Sequence, residues 1–347
     1  MKHLLLLCNT LCITLVFFTA LFSSCTPEQI QNEDHNKTAI GVFIPGITSG
    51  SPIYEMLARG VLAAAEKYNI DAGTVLVTVT VIEGGYNQAE WENMITSMTA
   101  SASYDLIVSS NPSLPDIVAR VSSNFPQQHF LLLDGQLSGN PRVYTLRYNQ
   151  REQAYMAGYI AALETEQNGT RRVVGLVAAQ EYPVMNNIIL PGFLEGARAV
   201  DPAYEADFRI VGNWFDAARA AELATDMILD GIRVLLTIAG GANEGVVNTA
   251  SQRGAKVVWF DINGYNIRPG TVIGSSVLHQ DMAAFNSVFN YLSGRLPFGN
   301  AEIAGVNDGY VDFVEDDPVY IDTVPAEIRE QQAAMIQRIR SGELVLY

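Results

Sequence analysis

Two aspartates in this chain each end an apolar run. Asp134 follows FLLL and Asp261 follows VVWF. A carboxylate beside such a run is costly unless it is paired or hydrogen-bonded. Each aspartate is therefore a candidate for holding a polar ligand, although either could instead cap the turn that follows it.

The other candidate binding residues are aromatic, amide, glycine and histidine residues in or next to the segments that follow predicted strands. They are Tyr54, Asn87, Trp91, Asn111, Trp214, Phe215, Gly240 and His279. Aromatic rings stack on flat heterocycles, and amides or carboxylates hydrogen-bond ring edges and sugar-like hydroxyls. The expected ligand is therefore flat, largely uncharged and hydroxylated. Trp91 could instead pack its own helix, and at least one of the adjacent Trp214 and Phe215 is expected to face the ligand.

The sequence lacks the common motifs of catalysis and metal binding. We find no P-loop, nucleophile elbow or HExxH pair. His129 and His279 are too few and too scattered for a metal cluster. We therefore predict no catalytic residue, no metal and no cofactor, in a protein that binds its ligand without changing it. One alternative is a hydrolase that uses Asp134 and Asp261 as an acid–base pair, and another is an adhesin that uses the fold as a scaffold.

From residue 38 onward, short β-branched runs alternate with longer helical patterns. AIGVFIP (39–45) is a predicted strand, and YEMLARGVLAAAEKYN (54–69) repeats apolar residues at helical spacing. Repetition of this unit predicts parallel sheets covered by helices on both faces. A second series of the same kind begins with a helix at 150–166 and reaches a strand at 256–260.

The order of these elements predicts an α/β protein of two doubly wound parallel-sheet lobes. We assign residues 38–145 and about 275–347 to the first lobe and 146–274 to the second, because further elements remain after the second series. Several segments then cross between the lobes and form a hinge. The ligand is expected between the lobes, outside the carboxyl ends of the strands.

The N-terminal segment is predicted to serve targeting rather than the fold. Its apolar run ends in small residues and a cysteine, which is typical of a lipoprotein: residues 1–24 form the signal peptide, Cys25 carries lipid, and 25–37 form a flexible spacer. An ordinary cleaved signal or a retained anchor is the alternative. The only cysteines are Cys8, Cys12 and Cys25, so the predicted fold contains no disulfide.

Size and charge limit the classes of partner. A chain of 347 residues exceeds what one hydrophobic core usually holds, which agrees with two domains. Its 37 acidic and 21 basic residues give a formal charge of −16. We exclude nucleic acid as a partner, because binding it requires a basic surface.

Five segments resemble, in order, motifs of the basic membrane protein family of substrate-binding lipoproteins, which serve ABC transporters. They are REQAYMAGYIAAL (151–163), PGFLEGA (191–197), the stretch from GNWFD to VVNTA (212–250), WFDINGY (259–265) and GSSVLHQD (274–281). The resemblance implies a type I periplasmic-binding-protein fold joined by a multi-segment hinge. It also implies a monomeric receptor that is lipid-anchored on the periplasmic or envelope face of a bacterial membrane and delivers its ligand to an ABC permease.

Three departures from the family pattern bear on the implied ligand. The family's nucleoside receptors carry an Asp-x-x-Phe-Asn loop after the first strand, where this chain has TSGSP (48–52). The lysine of T-S-V-x-K is His279 here, and the second aspartate of G-x-D-x-D-Q is Asn263. The chain also resembles the spirochaetal riboflavin-binding branch in PGITSGSPIYEML (45–57), EGGYNQAEW (83–91), SSNPSLPD (109–116) and FPQQHFLLLDGQ (125–136). The resemblance therefore favours riboflavin, with a purine nucleoside as the alternative.

Overall fold

A computed structural model of the protein describes residues 37–168 and 171–346. The predicted signal peptide, Cys25 and the predicted spacer up to residue 36 lie outside this part of the chain. The strands of the described residues are β1 (Thr38–Ile44), β2 (Val77–Glu83), β3 (Leu106–Ser110), β4 (His129–Leu133), β5 (Val143–Tyr148), β6 (Val173–Ala178), β7 (Glu205–Ile210), β8 (Val234–Ile238), β9 (Lys256–Asp261), β10 (Val272–Leu278), β11 (Ala301–Ala304) and β12 (Val311–Phe313).

The helices connect these strands and cover the sheets. They are α1 (Pro52–Ala72), α2 (Trp91–Ala100), α3 (Leu114–Asn124), α4 (Gln150–Asn168), α5 (Leu190–Val200), α6 (Ala217–Leu229), α7 (Asn243–Arg253), α8 (Gln280–Leu292), α9 (Pro318–Thr323) and α10 (Ala326–Arg340). Within residues 37–168 and 171–346, none of the helices combines the length and the apolar composition needed to cross a bilayer.

The strands form two six-stranded sheets. The first has the order β11-β5-β4-β3-β1-β2, and all of its strands are parallel. The second has the order β12-β10-β9-β8-β6-β7, in which β12 alone is antiparallel to its neighbour. Strands β3, β6 and β8 are buried along their whole length, as parallel strands covered on both faces are. The prediction of two α/β lobes with parallel sheets is confirmed.

The C-terminal tail departs from the predicted division of the chain. Helix α8 packs against α1 and β11 pairs with β5, so both belong to the first lobe as expected. Strand β12 instead pairs with β10 in the second sheet, and α10 packs against α4. The assignment of all residues from about 275 to 347 to the first lobe is corrected accordingly. The physical reason is that β10 would otherwise leave its edge unpaired, and β12 covers part of that edge.

The chain passes between the two sheets after β5, after β10 and after β11. These crossings are hydrogen-bonded to each other. The Asn149 amide donates to the Ala304 carbonyl at 2.7 Å, and the His279 amide donates to the Tyr310 carbonyl at 3.0 Å. The carboxylate of Glu152, at the start of α4, accepts a bond of 2.8 Å from the backbone of the third crossing. The three crossings therefore lie side by side, where the hinge was predicted.

Glycines allow helices of both lobes to pack backbone against backbone. A Cβ on Gly158 of α4 would overlap the Phe193 carbonyl oxygen of α5, and one on Gly196 of α5 would overlap the Tyr155 carbonyl oxygen of α4. Gly60 of α1 allows the same close approach to α8. Any larger residue at these positions would push the helices apart.

Candidate functional site

Asp134 and Asp261 occupy equivalent places in the two sheets. Asp134 directly follows β4 and Asp261 ends β9, and each strand is the third from the edge formed by β11 or β12. Both residues have a left-handed backbone, with φ of 53° and 72°. Among the described non-glycine residues, only Ala102 shares a positive φ. Backbone strain of this kind concentrates at functional sites, and here it marks the same strand end in both lobes.

The two carboxyl groups lie close enough for the charge of one to act on the other. Burial raises the pKa of Asp134 to about 7, with a further contribution from the charge of Asp261 and opposition from Arg147. Burial also raises the pKa of Asp261 to about 6, against a hydrogen bond from Gln153. Near neutral pH the pair therefore includes protonated and ionised carboxyl groups, which donate and accept hydrogen bonds respectively.

Tyr54 and Asn111 join Asp134 on the first lobe. The Asn111 Nδ2 donates to the Tyr54 hydroxyl at 3.1 Å, and the Asn111 Oδ1 accepts from the Ser113 amide at 2.9 Å. Burial raises the pKa of Tyr54 to about 12; the bond from Asn111 opposes this rise and the charge of Asp134 adds to it. These three predicted residues therefore lie together at the carboxyl edge of the first sheet.

A buried glutamine that the sequence patterns did not indicate lies behind them. The Gln280 Oε1, at the start of α8, accepts from the Ser110 hydroxyl at 2.9 Å and the Tyr148 hydroxyl at 3.3 Å. Its Nε2 donates to the Ile53 carbonyl at 2.9 Å. Because Ile53 precedes Tyr54, this side chain connects the second crossing to a candidate ligand contact.

Trp214 and Tyr182 form an aromatic wall on the second lobe. Their ring centroids are 6.4 Å apart and their planes are tilted by 41°. Trp214 remains 40% exposed. Gly240 has a φ of 59°, and a Cβ there would lie 3.0 Å from the Trp214 carbonyl oxygen and 3.3 Å from the indole ring. Gly240 therefore leaves room for the Trp214 ring.

Tyr182 links this wall to the aspartates. Burial raises the pKa of its hydroxyl above the ordinary value, and the charges of Asp261 and Asp134 raise it further. Tyr182 was not among the predicted candidates. It nevertheless follows β6 at a carboxyl strand end, so the rule that selected the other candidates also applies to it.

Two buried polar atoms beside the aspartates have no hydrogen-bond partner among the described residues. The Gln153 Nε2 donates to Asp261 Oδ1 at 3.0 Å and to the Ser276 carbonyl at 3.1 Å, whereas its Oε1 has no partner. The Arg147 Nε also has none. Unpaired buried polar atoms are rare. Both residues act on the aspartates, Gln153 through a bond and Arg147 through its charge, and neither was among the predicted candidates.

Trp91 lies in the core of the first lobe. It is 3% exposed, and it belongs to the buried cluster that contains Phe43, Ile95 and Phe130. Its Nε1 donates to the Gly85 carbonyl at 3.1 Å. This placement corrects the expectation that Trp91 contacts the ligand, because packing of α2 against the sheet already covers the ring.

Three other predicted residues are not joined to the aspartates. Asn87 is exposed, and its Oδ1 caps a short turn by accepting from the Ala89 amide at 3.2 Å. The His279 Nε2 lies 4.0 Å from an Asp312 carboxylate oxygen, which is the main cause of its raised pKa. Phe215 is 74% exposed. The sequence pattern located these residues at loop positions but did not indicate their partners.

Two surface cavities lie away from these residues. One, of about 480 Å³, runs along α1 and β2, and the other, of about 470 Å³, lies beside α3 and Arg142. Neither is lined by a candidate residue. Within the described chain, no three His, Cys, Asp or Glu side chains converge on a position for a metal ion.

Several known proteins are similar in sequence to this chain over half of its length or more. The chain is 27% identical over 179 residues to a protein of Lactococcus lactis subsp. cremoris described as an ABC transporter nucleoside-binding protein, and 25% identical over 185 residues to the CD4+ T-cell-stimulating antigen of Listeria monocytogenes. These matches cover 50% of this chain and 47% and 50% of the relatives, so the chain spans about half the length of either. Basic membrane protein A1 of Borrelia garinii subsp. bavariensis is 20% identical, over 97% of this chain and 96% of that protein.

Solved structures show the same fold. A solute-binding protein of an ABC transporter from Aeropyrum pernix superposes with a TM-score of 0.73 at 21% identity, covering 89% of this chain and 93% of that one. A sugar-binding protein of a Bacillus halodurans ABC transporter gives a TM-score of 0.62 at 17% identity, covering 82% and 99%. The Bmp family, described as PnrA-like substrate-binding proteins of ABC transporters, matches residues 37–344. The chain therefore belongs to the Bmp family of ABC transporter substrate-binding proteins.

Proposed function

We propose that this protein binds a nucleoside-type ligand, meaning a flat uncharged heterocycle joined to a hydroxylated carbon chain. The observation that carries the proposal is the pair of left-handed aspartates beside the Trp214–Tyr182 wall. An exposed indole face stacks on a heterocycle. Two carboxyl groups with raised pKa values hydrogen-bond hydroxyls and ring N–H groups without requiring a charged ligand.

Riboflavin is the first candidate within this class. It has a large neutral ring and a flexible polyol chain, which match an aromatic wall and a group of carboxyl and amide side chains. Where the family pattern has a lysine, His279 lies beside Asp312, so that position carries no unpaired cation for a ligand. The loop at residues 48–52 also lacks the family's Asp-x-x-Phe-Asn pattern.

A purine nucleoside is the second candidate. The Lactococcus lactis relative is described as a nucleoside-binding protein, and both aspartates remain in this chain. A purine ring stacks on Trp214 as a flavin does, and ribose hydroxyls bond to the same carboxyl groups.

Analysis of the bound ligand tests the proposal. The protein is purified without denaturation, extracted with acid, and the extract is examined by mass spectrometry and flavin fluorescence. The ligand-free protein is then titrated with riboflavin and with inosine, and binding is measured by fluorescence quenching. Saturable binding of either compound with no chemical change supports the proposal. Failure to bind both, or their turnover in an acid–base reaction at Asp134 and Asp261, contradicts it.

The remaining expectations concern the cellular setting. We infer that the protein is a lipid-anchored monomer on the outer side of a bacterial membrane, held through Cys25, and that it delivers its ligand to an ABC permease without itself being an enzyme. Replacing Cys25→Ala tests the anchor. The wild-type protein is expected in the membrane fraction with a mass increase from acyl chains, and the variant is expected to lose both properties.

A further inference from the structure

Arg147 is the only partly buried arginine within residues 37–168 and 171–346 whose side chain has no partner. It forms no hydrogen bond and no ion pair with these residues, and its Nε is buried. The other partly buried arginines each donate to an oxygen atom; they are Arg142, Arg151, Arg209 and Arg329. Withdrawing a charge from water is costly unless a partner compensates it. The Arg147 guanidinium therefore lacks the partner that its burial requires.

The carboxyl group of Asp134 is in the same situation. Asp134 is partly buried, and its side chain forms no hydrogen bond and no ion pair with the part of the chain that the structure describes. Asp261 differs, because its Oδ1 accepts a hydrogen bond of 3.0 Å from Gln153. Of the two candidate aspartates, Asp134 is thus the one whose hydrogen bonds are left for a ligand.

Asp134 and Arg147 are neighbours across two parallel strands. The pairing of β4 with β5 ends with Leu133 opposite Leu146. Asp134 and Arg147 are therefore the next residue of each chain segment, about one strand spacing of 4.8 Å apart. On its other side Arg147 pairs with Ile303 of β11, which fixes its backbone. The charge of Arg147 acts on Asp134, yet the two side chains do not close an ion pair with each other.

The chemistry of this pair defines its complement. A guanidinium group is always charged and only donates hydrogen bonds, from N–H groups fixed in one plane, whereas a carboxyl oxygen accepts. The matching ligand group offers an acceptor beside a donor. A lactam, meaning a ring carbonyl next to a ring N–H, holds both in one plane. An anionic group matches less well, because Asp134 and Asp261 both lie close enough to repel it.

We propose that Arg147 and Asp134 together bind the lactam edge of the ligand's ring, with Arg147 donating to the carbonyl and Asp134 accepting from the N–H. This inference rests on the proposed function and names the class of heterocycle. The flavin ring of riboflavin and the hypoxanthine ring of inosine both carry a lactam. Adenine carries the reverse order, an amino donor beside an acceptor nitrogen, and its amino group would face the donors of Arg147. The pair therefore selects oxo-heterocycles over amino-heterocycles.

Calorimetric titration of the full-chain protein with inosine and adenosine tests the selection. The wild-type protein is expected to bind inosine about tenfold or more tightly than adenosine. Arg147→Gln is expected to reduce this ratio to within about threefold, because an amide both donates and accepts. Arg147→Lys is expected to keep the preference, because an ammonium group only donates. The matched control is Arg233→Gln, an exposed arginine at the amino end of β8 that also has no side-chain partner among the described residues; it is expected to leave the ratio unchanged.

Flavins give a second measurement. Lumiflavin has the ring of riboflavin without the polyol chain. Arg147→Gln is expected to weaken riboflavin binding by about tenfold or more, and lumiflavin binding by the same factor, because the lost hydrogen bond is to the ring. A loss that disappears with lumiflavin would assign the pair to the polyol hydroxyls and overturn the lactam contact.

Two further outcomes separate this inference from the proposed function. Equal binding of inosine and adenosine by the wild-type protein, or an unchanged riboflavin affinity in Arg147→Gln, would overturn the lactam contact and leave the proposed function intact. Failure of the wild-type protein to bind both riboflavin and inosine would overturn both.

Discussion

A left-handed backbone at an aspartate orients its carboxyl group differently from that of an ordinary strand residue. At Asp134 and Asp261 this conformation follows a buried strand and turns the chain at the carboxyl edge of the sheet. Aspartate and asparagine tolerate this region better than most residues do. The backbone strain and the raised pKa values therefore occur at the same two residues. Each of these two effects lowers the stability of the folded protein, as strain at functional sites does.

Replacing Asp134→Asn is expected to stabilise the protein at high pH. The pKa of this carboxyl group is about 7 in the folded protein against an ordinary 3.8, so the folded state binds more protons than the unfolded state between these values. Wild-type stability therefore falls as the pH rises from about 4 to 7, and the free energy involved is up to about 4 kcal/mol. The neutral amide does not titrate, and it accepts the left-handed backbone.

Denaturant unfolding at pH 4.5 and pH 8 measures this effect. The variant is expected to gain stability at pH 8 and little at pH 4.5, while losing ligand affinity. The exposed Asp322 provides the control, because Asp322→Asn is expected to change stability by less than about 0.5 kcal/mol at either pH. An equal effect of Asp134→Asn at both pH values would show that this carboxyl group titrates normally.

Replacing Trp214→Ala is expected to weaken ligand binding by about 30-fold or more, as loss of a central aromatic contact does. Trp214→Phe retains a ring and is expected to retain most of the affinity. Trp91→Phe serves as the control, because Trp91 lies in the core and its change should alter stability without altering affinity. Isothermal titration calorimetry with riboflavin and with inosine measures the ligand affinity of all three variants. Equal losses in Trp214→Ala and Trp91→Phe would argue against an aromatic wall at Trp214.

At the scale of elements, the most recognisable sequence motifs serve helix packing. Gly158 lies in REQAYMAGYIAAL and Gly196 in PGFLEGA, and these two glycines bring α4 and α5 into backbone contact. The family resemblance at these segments thus reflects a close helix pair. The residues of the same lobe that we propose as ligand contacts, Trp214 and Tyr182, lie in loops outside both motifs.

Replacing Gly158→Ala is expected to destabilise the protein by about 3 kcal/mol, because the added methyl group meets a carbonyl oxygen of α5 that cannot move independently. Thermal unfolding measures the loss. Gly73→Ala is the control: a Cβ there meets no atom within 4 Å, so only the cost of a left-handed alanine, about 1 kcal/mol, remains. Equal effects of the two changes would mean that the helices separate easily.

Strands and helices were predictable from the sequence where their residue pattern is local. Apolar runs and helical spacing predicted the βα repetition, and the strand-end rule located Asp134, Asp261 and Trp214. Pairing of β12 with β10 was not predictable, because a three-residue strand carries almost no periodicity. For Trp91 the sequence left helix packing and ligand contact open, and the structure bears out helix packing; the face of α2 that meets the sheet depends on tertiary packing. Gln280 lies between the polar residues His279 and Asp281 in sequence, so its polarity alone does not mark it, and its three bonds exist only once β3, β5, α1 and α8 of the first lobe are assembled.

For the whole molecule, binding and stability are linked. A ligand that contacts both lobes binds the folded state and not the unfolded chain, so it raises the free energy of unfolding. At a riboflavin concentration 100 times the dissociation constant, the expected increase is about 2.7 kcal/mol. Thermal unfolding with and without riboflavin measures it, with D-glucose as a control expected to give no shift. A large shift with glucose would indicate a sugar receptor instead.

The late return of the chain to both sheets has a consequence for biosynthesis. Strand β11 must find β5 across more than 150 residues, and β12 must find β10 after β11 has joined the other sheet. Long-range pairing of this kind loses the conformational entropy of a long loop before the contacts between the strands form, and it therefore slows folding. Neither half can be completed while the ribosome is still adding residues before 301. The nascent polypeptide therefore carries an unpaired β5 edge from residue 148 until β11 is made at residue 301, and an unpaired β10 edge from residue 278 until β12 is made at residue 311.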